Sequence, residues 1–193
     1  TLRMQRIIDD MLMLAQLESD SAHGTETDVN VPNLLQLIRS EAAALSGSRG
    51  HRIELDVDGS LWLRGNEAEL RSAFSNLVGN AVQHTPDGSL ITMRWGLQDG
   101  CPMLEVADNG DGIAAEHLPR LSERFYRVDA SRSRARGGTG LGLAIVKHAL
   151  ARHDAELRIR SQVGAGSTFS CVFDAVAARS AVPASDVAKI SRL

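Results

Sequence analysis

The sequence is short of lysine. Of its 21 basic residues only Lys147 and Lys189 are lysines, so cationic charge is carried almost entirely by guanidinium groups. A P-loop needs Gly-Lys-Ser/Thr, and neither lysine stands in that context. Neither can supply the strand lysine of a protein-kinase fold. Cysteine is equally sparse. Cys101 and Cys171 have no second cysteine or histidine at metal-ligand spacing, and two buried thiols in a reducing compartment are the expectation. No apolar run approaches the roughly 20 residues that cross a bilayer, and no signal peptide is visible. A strong charge of either sign is missing too. The formal net charge of -3 gives no general reason to expect nucleic acid or an anionic membrane as partner.

Hydrophobic content of 43% and charged content of 23% fit a globular chain, and 193 residues suffice for one full domain with an appendage. The first 19 residues carry Met4, Ile8, Met11 and Ala15 at spacings close to a heptad. This predicts a helix that packs on a partner helix, already under way where the sequence starts, as in a piece of a longer protein. Residues 20–30 read as a polar linker. A second helix is expected over 31–46, with Pro32 near its start and Gly47 beyond its end. "HRIELDVDG" and "LWLRG" alternate as a hairpin of two strands. "NEAELRSAFSNLVGNAVQH" reads as a helix with Asn66 as N-cap and Glu69 placed for a capping box. Strands follow at "SLITMRWGL" and "PMLEVADNG". Residues 114–136 are mixed and arginine-rich, a short helix and then a loop. A helix over 140–153 and strands "AELRIRSQ" and "GSTFSCVFD" complete the pattern, with a frayed tail from 178. Helices with antiparallel strand pairs imply a two-layer α/β sandwich with a mostly antiparallel sheet, not a parallel doubly wound one.

Three short blocks bear chemistry. "GGTGLGLAIVKHAL" places Gly137, Gly138, Gly140 and Gly142 before an apolar helix. The spacing is not that of a dinucleotide-binding turn, and an arginine-rich loop rather than a strand precedes it. A glycine hinge and a phosphate cradle of free amides at a helix start both remain open on this segment alone. "DNGDGI" sets Asp108 at a strand end, where its carboxylate either closes an Asx-type turn or accepts from an exocyclic amine. "NLVGNAVQHTP" puts Asn76 and Asn80 on one helical face, where buried amides are costly unless satisfied. An amide oxygen there suits Mg2+, whose ligands are hard oxygens.

The order "NLVGNA", "DNGDGI", "GGTGLGL", at intervals of about 30 residues, resembles the N, G1 and G2 boxes of the ATPase superfamily of DNA gyrase, histidine kinases, heat-shock chaperones and mismatch-repair proteins. "ERFYRVD" is similar to the F box of histidine kinases. The run from 119 to 153 most resembles the phosphate-regulon branch of the bacterial sensor kinases. The resemblance covers residues 1 to about 175. It implies a Bergerat-type fold, with helices covering one face of the sheet and an N-terminal helical extension. Residues 1–19 would end a second dimerisation helix, and 31–177 would form the catalytic domain, with an ATP lid over about 113–138.

The same resemblance implies the roles. Asp108 would bind the adenine amine, helped by Thr168, within a turn made by Gly110, Gly112 and Ile113. Asn80 would ligate Mg2+, with Asn76 beside it on phosphate or metal-bound water. Gly138, Thr139, Gly140, Leu141 and Gly142 would wrap the phosphates with backbone amides. His84 would flank the nucleotide, and Gln83 stands where the family often has a basic residue. Phe125 and Tyr126 would anchor the lid on the core, with Arg124 or Arg127 approaching the γ-phosphate. The implied chemistry is transfer of the γ-phosphoryl group from ATP to a histidine, where positioning and charge neutralisation dominate. None of the six histidines has the H-E/D-x-x-x-P context of a phosphoacceptor. The acceptor would lie on the dimerisation domain of the same protein. The implied setting is a homodimeric inner-membrane parent with this part cytoplasmic, a cognate response regulator, and no nucleic-acid partner. Two other readings stay open: an ATPase with a conformational cycle, against which Asn76 stands where such enzymes carry a glutamate, and a catalytically degenerate interaction module.

Overall fold

The strand Leu90–Gln98 shows how the sheet is made. Ile91, Met93 and Trp95 are buried on one side while Arg94 between them is exposed on the other, as a period of two requires. A computed structural model of the chain describes residues 2–19, 25–128 and 138–180. In chain order the described elements are α1 (Leu2–Glu18), β1 (Thr27–Val29), α2 (Val31–Ser46), β2 (Arg52–Val57), β3 (Leu61–Gly65) and α3 (Glu67–His84). There follow β4 (Leu90–Gln98), β5 (Cys101–Asp108), a 3-10 turn at Ala115–Arg120, α4 (Gly142–Ala151), β6 (Glu156–Gln162), β7 (Gly166–Val172) and β8 (Ala178–Ser180).

Five strands form one sheet in the order β2-β4-β5-β7-β6, antiparallel except for the parallel pair β2–β4. Its apolar face carries Met93, Trp95, Leu104, Val106, Phe169 and Cys171 against Leu70, Phe74, Leu77 and Ile145 of α3 and α4. Phe173 meets the edges of Phe74 and Trp95 at centroid distances of 6.2 and 6.3 Å. The two-layer α/β sandwich expected from the sequence is the observed architecture. Both cysteines are free, Cys171 is fully buried, and burial drives its thiol far up.

The expected hairpin of 51–65 does not form. β2 pairs with β4, and the backbone amide of Asp58 extends that pairing to the Trp95 carbonyl at 2.8 Å. The Asp58 side chain accepts from the Ser60 amide and hydroxyl at 2.9 and 2.6 Å, and the chain turns away. β3 enters a second sheet, β1-β3-β8. Trp95 joins the two sheets by donating to the Leu61 carbonyl at 2.9 Å. The polar segment 20–30 thus contributes β1, and residues 178–180, expected to fray, form β8.

α1 is a helix, as the spacing predicts, and packs on α4 by a face other than the heptad-like stripe. Leu14 and Leu17 are buried where the helix meets α4, whereas Met4, Ile8 and Met11 of the heptad-like stripe are 65%, 48% and 52% exposed. The cap of α3 is likewise half as expected. Asn66 accepts from the Ala68 and Glu69 amides at 3.0 and 3.2 Å. Glu69 does not close the box: its carboxylate takes the Arg152 guanidinium at 3.0 Å, and both side chains are nearly buried. The Asn66 amide instead donates to His153 Nε2 at 3.0 Å, and His153 Nδ1 donates to the Ala149 carbonyl at 2.7 Å. His153 therefore spans the start of α3 and the end of α4 as a neutral imidazole, protonated on Nδ1.

Replacing His153 by alanine strands the Asn66 amide and removes a buried ring. The unfolding free energy is expected to fall by about 2 kcal/mol with the urea m-value unchanged. A loss no larger than the ~0.5 kcal/mol of ordinary surface substitutions would show that this bridge does not hold the helices.

Candidate functional site

The polar face of α3 stays half-buried because it borders a cavity. Leu70, Phe74, Leu77 and Val78 point into the core, which turns Asn76, Asn80 and Gln83 the other way. The cavity of about 900 Å³ lies between this face, the start of α4, and the turn after β5. Asn76 Nδ2 donates to the Ser72 carbonyl at 2.9 Å, which leaves its Oδ1 facing Gly142. A Cβ at Gly142 would stand 2.7 Å from that oxygen, so the helix start approaches the amide as closely as a side-chain-free residue allows. The Asn80 side chain makes no hydrogen bond to another described residue, and its amide oxygen is available to the cavity. One neutral oxygen, with phosphates and water completing the shell, fits Mg2+.

The opposite end is closed by Asp108. Burial pushes its carboxyl pKa up, and hydrogen bonds from the amides of Gly110 and Ser167 act the other way. The Gly110 amide donates to Asp108 Oδ1 at 2.9 Å. Ser167 faces Asp108 directly across the β5–β7 pair, and Phe169 lines the wall beyond it. The turn that follows is strapped to the β6–β7 connection. The Gly164 amide donates to the Asp111 carbonyl at 2.8 Å, and the Ile113 amide to Ser161 Oγ at 2.7 Å. Gly112, at φ +69°, has no room for a Cβ, which would collide with the Gln162 carbonyl.

The glycine segment is built against the arginine-rich stretch. Gly140 has φ +74°, and a Cβ there would lie 2.9 Å from Phe125 Cα. The Phe125 amide donates to the Gly140 carbonyl at 2.8 Å. Thr139 Oγ1 donates to Asp10 of α1 at 2.8 Å and accepts from the Leu141 amide at 3.2 Å.

The structure thus brings Asn76, Asn80, Gln83, His84, Asp108, Gly112, Ile113, Tyr126, Arg127, Gly138, Thr139, Gly140 and Gly142 around one cavity. Five predicted residues stand elsewhere. Thr168 projects from the opposite face of the sheet, because Phe169 and Cys171 are in the core and parity puts Ser167, not Thr168, beside Asp108. Leu141 is buried and its amide is already taken by Thr139. Gly110 is packed behind Asp108 against the Thr85 methyl group. Phe125 does not anchor anything on the core: it is 59% exposed, in the left-handed region at φ +61°. Arg124 turns away to pair with Glu18 of α1. Tyr126 is held by His117 Nδ1 at 2.7 Å from its hydroxyl and by the Arg120 guanidinium 4.3 Å from its ring centroid. Gly137 and residues 129–136 of the arginine-rich stretch fall outside the described residues. Ser167, Thr85 and Asp10 line the cavity without having been singled out from the sequence; the alternation of "GSTFSCV" was the signal for Ser167.

The sequence model of the "Histidine kinase-, DNA gyrase B-, and HSP90-like ATPase" family matches residues 65–177, which include every one of these blocks. The chain belongs to this family. It is 55% identical over 171 residues to the phosphate regulon sensor protein PhoR of Pseudomonas aeruginosa, covering 89% of this chain and 39% of that protein. It is 38% identical over 170 residues to the PhoR of Haemophilus influenzae, covering 88% and 40%. The chain therefore spans about two fifths of the length of these curated relatives. Among solved structures, full-length ShkA in complex with AMPPNP superposes with a TM-score of 0.78 at 24% identity, over 92% of this chain and 36% of that one. That likeness is one of fold. No described helix is long and apolar enough to cross a membrane.

The strap on the G1 turn can be tested by stability. Gly112→Ala combines left-handed strain with a backbone collision and is expected to cost more than about 2 kcal/mol. Gly88→Ala has similar strain, at φ +75°, but open space, and is expected to cost about 1 kcal/mol. Chemical denaturation of both variants gives the difference, and equal losses would refute the close approach.

Proposed function

We propose that this chain is the catalytic, ATP-binding part of a two-component sensor histidine kinase of the phosphate-regulon type. The observation that carries the reading is the polarity of the cavity. A half-buried carboxylate closes one end, and glycine backbone with two asparagine amides forms the other. An adenine with its donor amine suits the first end, and a triphosphate suits the second.

In this reading Asp108 accepts a hydrogen bond from the adenine amine. The backbone of Gly138, Thr139, Gly140 and Gly142 approaches the phosphates, and the free amides of the first turn of α4 add the positive end of a helix dipole. Asn80 would hold Mg2+ through its amide oxygen, with Asn76 beside it, and the ion would supply charge neutralisation at the phosphates. Arg127 lines the same cavity and can approach the γ-phosphate, whereas Arg124 is committed to Glu18. The γ-phosphorus–oxygen bond breaks with its electron pair leaving on ADP, and a phosphorus–nitrogen bond forms to an imidazole that loses its proton to solvent.

The imidazole belongs to a dimerisation domain of the same protein. The exposed Met4, Ile8 and Met11 of α1 support pairing with a helix of that domain. The chain alone binds ATP without phosphorylating itself, since no histidine in it has the acceptor context. The parent is read as a homodimeric inner-membrane sensor with this part on the cytoplasmic side, passing the phosphoryl group to a response regulator.

Asp108→Ala is expected to weaken ATP binding by about one to two powers of ten, the loss of a charged acceptor worth ~1.5–3 kcal/mol. Calorimetric titration measures it, and unchanged affinity would sink the adenine role. Burial raises the Asp108 carboxyl, so the ionised acceptor is complete above that raised pKa and lost as pH falls through it. ATP affinity of the parent chain should decline along the same limb, and the Asp108→Ala variant should lack that decline. With labelled ATP and a separate dimerisation domain bearing the acceptor histidine, transfer should require Mg2+ and be strongly reduced in Asn80→Ala. Hydrolysis without transfer would favour a conformational ATPase instead.

A further inference from the structure

We propose that Ser161 of β6, which does not itself line the cavity, fixes the hydrogen-bond polarity of the base-recognition end and so its preference for a 6-amino over a 6-oxo purine. The proposal rests on the adenine role of Asp108 given above.

Ser161, Ser167 and Asp108 form one row across three strands. Ser161 is the register partner of Ser167 in the β6–β7 pair, and Ser167 is the register partner of Asp108 in the β5–β7 pair, so all three side chains stand on the same face. Ser161 Oγ has three partners. The Ile113 amide lies 2.7 Å away and can only donate; the Gly166 carbonyl lies 2.9 Å away and can only accept; Ser167 Oγ lies at 2.9 Å and can do either. A hydroxyl carries one proton and two lone pairs. The Ser161 proton goes to the Gly166 carbonyl, since at 2.9 Å that oxygen has no proton of its own to give. The bond between the serines must then use the proton of Ser167.

That assignment decides what the cavity sees. With its proton turned back toward Ser161, Ser167 offers only lone pairs beside the Asp108 carboxylate. The end of the cavity is a cluster of acceptors, matched to the two N–H bonds of an exocyclic amine and mismatched to a carbonyl oxygen at the same ring position. Remove the Ser161 hydroxyl, and the Ser167 proton is free to swing toward the ligand. An acceptor at position 6 then becomes tolerable. Ser161 is a positioning residue acting through Ser167, and its bond to the Ile113 amide gives it a separate role in holding the turn.

The test compares ATP with inosine triphosphate, which replaces the 6-amine by an oxo group, in calorimetric titrations of the 193-residue chain. Ser161→Ala should lower the ratio of the inosine to the adenosine dissociation constant by about tenfold, the equivalent of one hydrogen bond. Ser161→Thr, which keeps the hydroxyl, should retain the parent ratio. Weakening both nucleotides equally would mean that Ser161 only anchors Ile113, and the proposal falls. An unchanged ratio in Ser161→Ala, with Asp108→Ala still losing ATP affinity, overturns the role of Ser161 and leaves the adenine reading standing. If Asp108→Ala leaves ATP affinity intact, the adenine reading fails and takes the proposal with it. Should thermal melting show that Ser161→Ala does not fold, Ser161→Cys carries the same comparison, since the thiol keeps the volume while weakening each bond.

Discussion

The ion pair of Glu69 with Arg152, and the imidazole of His153 on the Asn66 amide, hold the N-terminal end of α3 against the C-terminal end of α4. The cavity depends on that junction. Glu69 lies two turns before Asn76, about 10 Å along the axis at 1.5 Å per residue. Gly142 lies at the far end of α4 from Arg152. The junction, with the packing of α3 on α4, helps to set how closely Asn76 Oδ1 approaches Gly142, and with it the width of that end of the cavity. A nearly buried ion pair gives little net stability over an apolar replacement, but removing one partner leaves the other charge stranded. Its contribution is geometric: Arg152 Nε donates to both Glu69 oxygens, at 3.0 and 3.2 Å, and so fixes one helix end against the other.

The other wall has a different support. The β6–β7 connection presses its backbone into the turn after β5, and Gly112 and Gly166 leave no room for side chains between them. Asp108 is thus carried by a strand end that is backed by two neighbouring strands, while the asparagines are carried by a helix backed by another helix. The cavity sits where these two rigid units meet. Tyr126 and the glycine segment, which complete its rim, hang on loops instead, the first pinned by His117 and the second by the Phe125 amide on the Gly140 carbonyl.

Much of this was legible in the sequence because it is local. Asn66 as a cap, the bounds of α2, and the shared face of Asn76 and Asn80 follow from helical periodicity and from side chains that bond within three or four residues. The three blocks, about 30 residues apart in the chain, all border one cavity. What was not legible depends on distant partners. "HRIELDVDGSLWLRG" has every local sign of a hairpin, but β2 gains a parallel pairing with β4 over its whole length, and the Asp58 turn sends β3 elsewhere. The capping box was correct in composition and wrong in partner, since Arg152, 83 residues away, outcompetes the local amide for Glu69. Thr168 was misassigned for a simpler reason. One step along a strand reverses the face, and the burial of Phe169 settles the parity that the motif alone left open.

Phe125 and Gly140 give the last consequence. Their backbones meet through one hydrogen bond and a contact only a glycine permits, although they are separated by residues 126–139. Bringing the two ends of an intervening segment together has an entropic cost that grows with the logarithm of its length. The Phe125–Gly140 contact provides that closure within the fold itself, and a side chain at Gly140 would push the two backbones apart.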